Sequence, residues 1–391
     1  MAIAVWCAGC TMPRSSLPAT PAPAGPKGPS SASSAPKGPS SASSAAPVAV
    51  CFGTVPDNWR LALRGHSVPI PAGVTFVAGG TAGNSALGQL YAGGGNSIGR
   101  VDMTTGQVTT IARQPPGIGG MGAMASDPPW VVWEELDSQS NLDDWTIHAW
   151  NQAQGTVTTI ASSRLGNGTF AVGQQPLPVL RGSVAAWAQP LPAKGGLNQA
   201  AIRVDNLAAG TVSTLDTGRV SSPVYAGPYL IWAKISAGGR YTLHAADAAT
   251  LKPAAVPAAI ASPGPLVYLA GSPGYLAWGS GDFNTLTVWP VGTAGLARFS
   301  QGNSGHPFQF LQLAGHFALW YTGNGSSVLD LQTGKAFDVN GSVAASPASV
   351  VIAEHSGSPS KGGSQGAARV ATLPVSAMPG ISGCDKAGPG T

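Results

Sequence analysis

The densest chemistry in this 391-residue chain is the acidic run EELDSQSNLDD at 134–144. Glu134, Glu135, Asp137, Asp143 and Asp144 are five of its 16 acidic residues. Several carboxylates on one short stretch could surround a hard cation, which is held by oxygen ligands. The spacing is not that of an EF-hand, whose central Gly is missing, so a solvated hairpin loop is the competing expectation. Other formal matches are thinner. GNSIG (95–99) and GGSQG (362–366) fit G-x-S-x-G, which would make Ser97 or Ser364 a nucleophile. That elbow needs a strand, a sharp turn and a helix, whereas both matches sit in Gly-rich connections between predicted strands. GIGGMG (117–122) has no strand–helix–strand unit around it. The six histidines occur singly and form no zinc spacing. No catalytic residue and no cofactor are therefore assigned, and the metal candidate stays with the five acids.

The first ten residues, MAIAVWCAGC, form a short apolar run ending at Cys10. Ala8, Gly9 and Cys10 resemble the lipobox of bacterial lipoproteins, in which the cysteine is lipidated. Cys7 stands where Leu is usual and the basic leader is missing, as a start placed downstream of the true one would leave it. Residues 11–47 are almost wholly Ser, Ala, Pro, Gly and Thr, with PKGPSSASSA written twice in tandem. Such a stretch cannot bury enough apolar surface to offset its ordering entropy and is expected to be a disordered tether. It holds Arg14, Lys27 and Lys37 and no acid, leaving the rest of the chain near neutral. That balance argues against a nucleic-acid surface. Cys51 and Cys384 are the remaining cysteines, one at each end of the expected folded part. In an exported protein they would form one disulfide, the alternative being two unrelated thiols.

The elements that must position any site are repeated strands. Apolar stretches ending near an aromatic or large residue recur at Tyr91, Trp133, Trp187, Trp232, Trp278, Trp320 and Ile352, about 44 residues apart on average. A second pattern follows each, as in RVDMTTGQVTTIA (100–112) and RVDNLAAGTVSTL (203–215): a strand ending in Asp or Asn, a small polar turn and a β-branched strand. Charged residues make up 9%, and Gly (54) and Pro (34) are abundant. This predicts an all-β, seven-bladed β-propeller of four-stranded antiparallel blades over 74–384. Residues 48–73 are expected to be a lead with one short helix at PDNWRLALRG, capped by Asp57 and closed by Gly65, and 385–391 a flexible end. The tryptophans are expected to fill space between blades, and Asp102, Asp205, Asp247 and Asp330 to form turns. The inner strands offer Arg181, Tyr225, Tyr268, Gln309 and Gln312 to an axial tunnel.

The stretch VVWEELDSQSNLDDWTIHAWNQAQGTVTTIA resembles the repeats of TolB-like and WD40-like propellers of bacterial envelopes, although the S-P-D-G turn common in those repeats is absent. The resemblance implies a monomeric binding or scaffold module at the cell envelope, anchored to the membrane through Cys10, with an envelope protein or small ligand as partner. Two rival expectations are a carbohydrate-active enzyme and a small-ligand or metal-binding sensor. The first requires Asp127, Asp282, Glu354 or acids of 134–144 to converge with a His at one mouth of the tunnel.

Overall fold

The computed structural model of the chain describes residues 46–381 apart from 94, 116–119, 139–140, 195–196, 303–304, 323–324 and 356–366. Cys7, Cys10, the Ser/Ala/Pro tail, Ser364 and Cys384 lie outside the described residues. Seven antiparallel sheets follow one another at 74–113, 120–162, 179–218, 224–254, 266–300, 309–339 and 341–374. Within each, successive hairpins carry the chain outward through strands A to D. Every strand A adjoins the next, and the last, Gly341–Ser346, adjoins the first, Val74–Ala82, so the sheets close into a seven-bladed propeller. The closure is also hydrogen-bonded. The Thr81 amide donates to Ser346 Oγ (3.0 Å), and the Thr81 and Ser349 hydroxyls pair at 2.8 Å.

The lead segment is part of this ring. Strand β1 (Val48–Ala49) lies parallel to the outer strand of blade 5, and β2 (Cys51–Gly53) parallel to that of blade 6. Helix α1 (Asp57–Gly65) turns Trp59 and Leu63, one helical turn apart, into a cluster with Phe317, Phe337, Val350 and Leu373. Strand β3 (Ser67–Pro69) then pairs with Ala367–Pro374 and supplies the outer strand of blade 7. At the helix start the expected cap is absent. Pro56 holds the N-cap position without a side-chain bond, while Asp57 is already helical and accepts from Arg60 (2.8 Å). Gly65 is the last helical residue and His66 the C-cap. Among the described residues no helix is long and apolar enough to cross a membrane.

The tryptophans lie where blades meet. Trp133, Trp187, Trp232, Trp278 and Trp320 are each at most 4% exposed, all on strand B. Each packs on the preceding blade: Trp133 against Leu87 and Ile98, Trp187 against Val132 and Ile147, Trp232 against Ala200 and Ile202. Trp278 meets Ile231 and Leu243, and Trp320 meets Leu286 and Val288. Middle strands covered on both faces can be apolar throughout, as in FALWY of blade 6. In blade 1 the ladder puts Gly88 in the tryptophan register, three residues before Tyr91, and the Phe76 ring fills the space above it beside Leu90 and Val351. An odd shift along a strand reverses the face, so the Tyr91 anchor was out of register by three positions and on the wrong face.

The turn acids divide too. One oxygen of Asp102 accepts from the Thr104 and Thr105 amides, and one of Asp247 from the Ala249 and Thr250 amides. In blade 3 the turn belongs to Asn206, which accepts from the Ala208 and Ala209 amides. Asp205, one residue earlier, is buried and has an oxygen without a hydrogen-bond partner.

Candidate functional site

Strand alternation defines two rims: a turn rim carrying the A–B and C–D turns, and a loop rim carrying the B–C loops and the D–A connections. Between them runs an axial channel of about 1290 Å³. Its wall includes Met121, Met124, Leu177, Tyr225, Tyr268 and Phe310.

Tyr268 and Phe310 occupy it because strand A bulges opposite the tryptophan of strand B. Pairing jumps from Val267↔Gly279 to Ala270↔Ala277 in blade 5, and from Gln309↔Tyr321 to Gln312↔Leu319 in blade 6. The first bulged residue takes a left-handed backbone, φ 48° at Tyr268 and 50° at Phe310. Leu177 (φ 41°) and Phe283 (φ 62°) on the same wall share that conformation. Each non-glycine residue there costs roughly 1–2 kcal/mol. The result is a line of rings toward the loop rim: Phe283 to Tyr268 at 5.9 Å, Tyr268 to Phe310 at 5.2 Å, Phe310 to Tyr321 at 6.5 Å. Tyr268 was legible as an inner-strand residue. Phe283, Phe310 and Tyr321 were not, because a bulge and a loop bring them inward.

At the turn rim the polar groups serve the framework. Arg181 donates to the Gly227 carbonyl (2.7 Å) and lies 4.5 Å over the Tyr225 ring. Tyr225 Oη donates to the Val184 carbonyl (3.1 Å), and Asp127 accepts from the Gly182 amide (2.7 Å). Burial holds the Arg181 guanidinium below its usual range and pushes the Tyr225 phenol up. Gln312 accepts from the Ala345 amide (2.7 Å), and Gln309 pairs with Tyr321 in the ladder without being part of the channel wall.

The five acids of 134–144 are distributed rather than gathered. Glu135 accepts from Gln114 (3.0 Å), which is joined to Gln89 (3.1 Å) in a buried network between blades 1 and 2. Asp137 accepts from Thr146 (2.6 Å), Asp143 from the Gly173 amide (3.1 Å) and Asp144 from Arg164 (3.1 Å). Glu134 points to the opposite face from Glu135. It is 0% exposed, neither oxygen has a hydrogen-bond partner, and burial raises its carboxyl to about 8. No group of three His, Cys, Asp or Glu able to hold a metal occurs among the described residues. The other acids are split between rims: Asp127 ends a strand A at the turn rim, while Asp282 and Glu354 lie toward the loop rim. His306 pairs with Asp338 (3.4 Å) and His316 faces Asp330 (3.9 Å), so the two histidines do not meet. Ser97 lies inside strand C of blade 1, and Gly120–Gly122 inside a strand A, with no helix after either.

A second cluster had no sequence signature. Asp216 bonds Lys234 Nζ (2.6 Å) and the Trp232 indole (3.0 Å) between blades 3 and 4, with His244 at 3.9 Å. Burial pushes the Asp216 carboxyl up, but its bonds to Lys234, Trp232 and the Thr217 amide outweigh this and hold it below its usual range.

Neither a family model nor a curated protein sequence matches the chain. Among solved structures it is similar to an acylaminoacyl peptidase from Pyrococcus horikoshii, at TM-score 0.47 and 5% identity, covering 71% of this chain and 49% of that one. TolB from Acinetobacter baumannii is similar at TM-score 0.41 and 13% identity, covering 68% and 63%. The β-propeller domain of the Trilobed protease from Pyrococcus furiosus is similar at TM-score 0.46 and 6% identity, covering 71% and 90%. The chain thus spans about half of the first protein and under two thirds of the second. What it shares with TolB and these proteins is the propeller architecture.

Proposed function

We propose that the chain is a ligand-binding propeller of the bacterial cell envelope, tethered through Cys10, with the axial channel as its binding site. The observation that carries the reading is the channel wall. Aromatic and apolar side chains converge there on strained backbone, while Arg181, Tyr225 and Gln312 are engaged in bonds between or within blades. Concave, mostly apolar sites with a few polar groups are where small ligands bind. Asp282 and Glu354 are not part of the channel wall, and Asp127, which is, lies at the opposite rim from them, which weighs against a hydrolytic pair at one mouth. Tethering is supported by the lipobox-like sequence before Cys10 and the low-complexity stretch after it.

A photoreactive phenylalanine analogue in place of Phe310 in the full chain, irradiated in cells, tests the site. Recovery of one defined small molecule or segment supports the reading. Recovery of nothing specific, together with turnover of a cell-wall glycan by the purified chain, would replace it with the enzyme. For the tether, an alkyne-tagged fatty acid should label the wild type and not Cys10→Ala; equal labelling removes Cys10 from the proposal.

A further inference from the structure

We propose that the channel takes an apolar ligand carrying a protonated amine, with the Glu134 carboxylate as its counter-charge. The inference rests on the reading of the channel as a ligand site and adds the chemistry of what enters it.

Trp133 Nε1 and one Asp144 oxygen nearby also lack partners, but Glu134 is the carboxyl of this region with both oxygens unmet. Its neighbour Glu135 is satisfied by Gln114, yet both Glu134 oxygens are orphaned at 0% exposure. Buried polar atoms in folded proteins are almost always hydrogen-bonded, so such a carboxyl calls for a missing donor. Its position says where the donor would come from. Strand A of blade 2 bulges between Met121 and Met124, placing Gly122 and Ala123 opposite Glu134. Gly122 lines the channel, and a Cβ on it would collide with Glu134 Oε2. The carboxyl therefore lies against the bare Cα of a wall residue, just outside the wall and shut off from it at 0% exposure, so that an ammonium in the channel meets it only once the backbone at Gly122 gives way.

The rest of the wall favours a cation with an apolar body. Met121, Met124 and Leu177 offer adaptable apolar surface, and the faces of Tyr268, Phe310 and Phe283 attract positive charge. The guanidinium of Arg181 is at the turn rim, held on the Gly227 carbonyl and the Tyr225 ring. Of the other titratable groups on strands packed against Glu134, His148 stacks on Trp133 at the opposite face of the sheet, as does Glu135 with Gln114. Asp127 is at the turn rim with Arg181. His355, on blade 7 two blades away past blade 1, also lines the channel. As the ammonium pairs with the carboxyl, the carboxyl proton passes to solvent.

The test uses the full chain with octylamine, octanol and octanoate at pH 7, followed by thermal shift and calorimetry. The amine should bind at least about tenfold more tightly than the alcohol, and octanoate most weakly, as a charge pair across a desolvated site implies. Glu134→Gln should bring the amine to the level of the alcohol. Wild-type calorimetry in buffers of differing ionisation enthalpy should find about one proton released with the amine and none with the alcohol. Equal binding of amine and alcohol, or amine binding without proton release, removes Glu134 from the site while leaving the channel a ligand site. Failure of all three probes to bind overturns the reading of the channel itself.

Discussion

At the scale of single residues, burial decides what a polar side chain does. Asp102 and Asp247 sit in exposed turns and organise backbone amides, which holds both carboxyls below their usual range. Glu134 faces the interior and keeps its proton to about pH 8 because nothing there stabilises the charge. Between its ordinary value of 4.5 and about 8, the folded chain retains a proton that the unfolded chain has lost. The contribution of Glu134 to stability therefore falls as pH rises through that window, by on the order of 5 kcal/mol at most. Urea unfolding of wild type and Glu134→Gln at pH 5 and pH 9 should show the variant gaining on the wild type at the higher pH; parallel curves would mean Glu134 is not the titrating group. The interblade tryptophans make a second prediction. Trp187→Ala empties a site 2% exposed and should cost about 3–5 kcal/mol, read as a lower urea midpoint with an unchanged slope.

At the scale of elements, the bulge in strand A and the loan of β3 do most to shape the molecule. The bulge admits the tryptophan of strand B on one side and sends Tyr268 or Phe310 into the channel on the other, so the interblade seam and the binding wall share one local deformation. Strand β3 completes blade 7 through three residue pairs, with Val68 opposite Val370. Val68 is 8% exposed, whereas Val212 on the outer strand of blade 3 is 53% exposed. Val68→Asp would bury an unpaired charge and should destabilise by roughly 3 kcal/mol or more. Val212→Asp should stay within about 0.5 kcal/mol. Chemical denaturation of both variants checks this, and similar losses would deny β3 a role in closure.

At the scale of the whole molecule, both ends of the folded chain come to blade 6. Strand β2 sets Cys51 beside Lys335, which pairs with Asp330 across the final hairpin. The Ile381 amide donates to Asp330 Oδ2 (3.2 Å), three residues before Cys384. This convergence supports the proposed Cys51–Cys384 disulfide. In a chain with Cys7 and Cys10 replaced by Ser, thiol titration under denaturing, non-reducing conditions should find no free cysteine; two free thiols end the proposal. Reduction should lower stability by about 2–5 kcal/mol.

The strands, their hairpins and the sevenfold period were legible in the sequence because they arise locally, from alternation of side chains and from Asp, Asn and Gly at turns. The burial of the tryptophans between blades followed from the same reasoning, since a middle strand apolar on both faces must be covered on both. The slip from Gly88 to Tyr91 and the exchange of Asn206 for Asp205 mark the limit of that reasoning: each is a register ambiguity of a few residues that only pairing and packing resolve. Ring closure by β3, the gathering of Phe283, Tyr268, Phe310 and Tyr321, and the isolation of Glu134 behind Gly122 were decided by tertiary structure alone. Their partners are distant in sequence, and whether a carboxylate meets water, a cation or bare glycine depends on which strands the closed ring brings together.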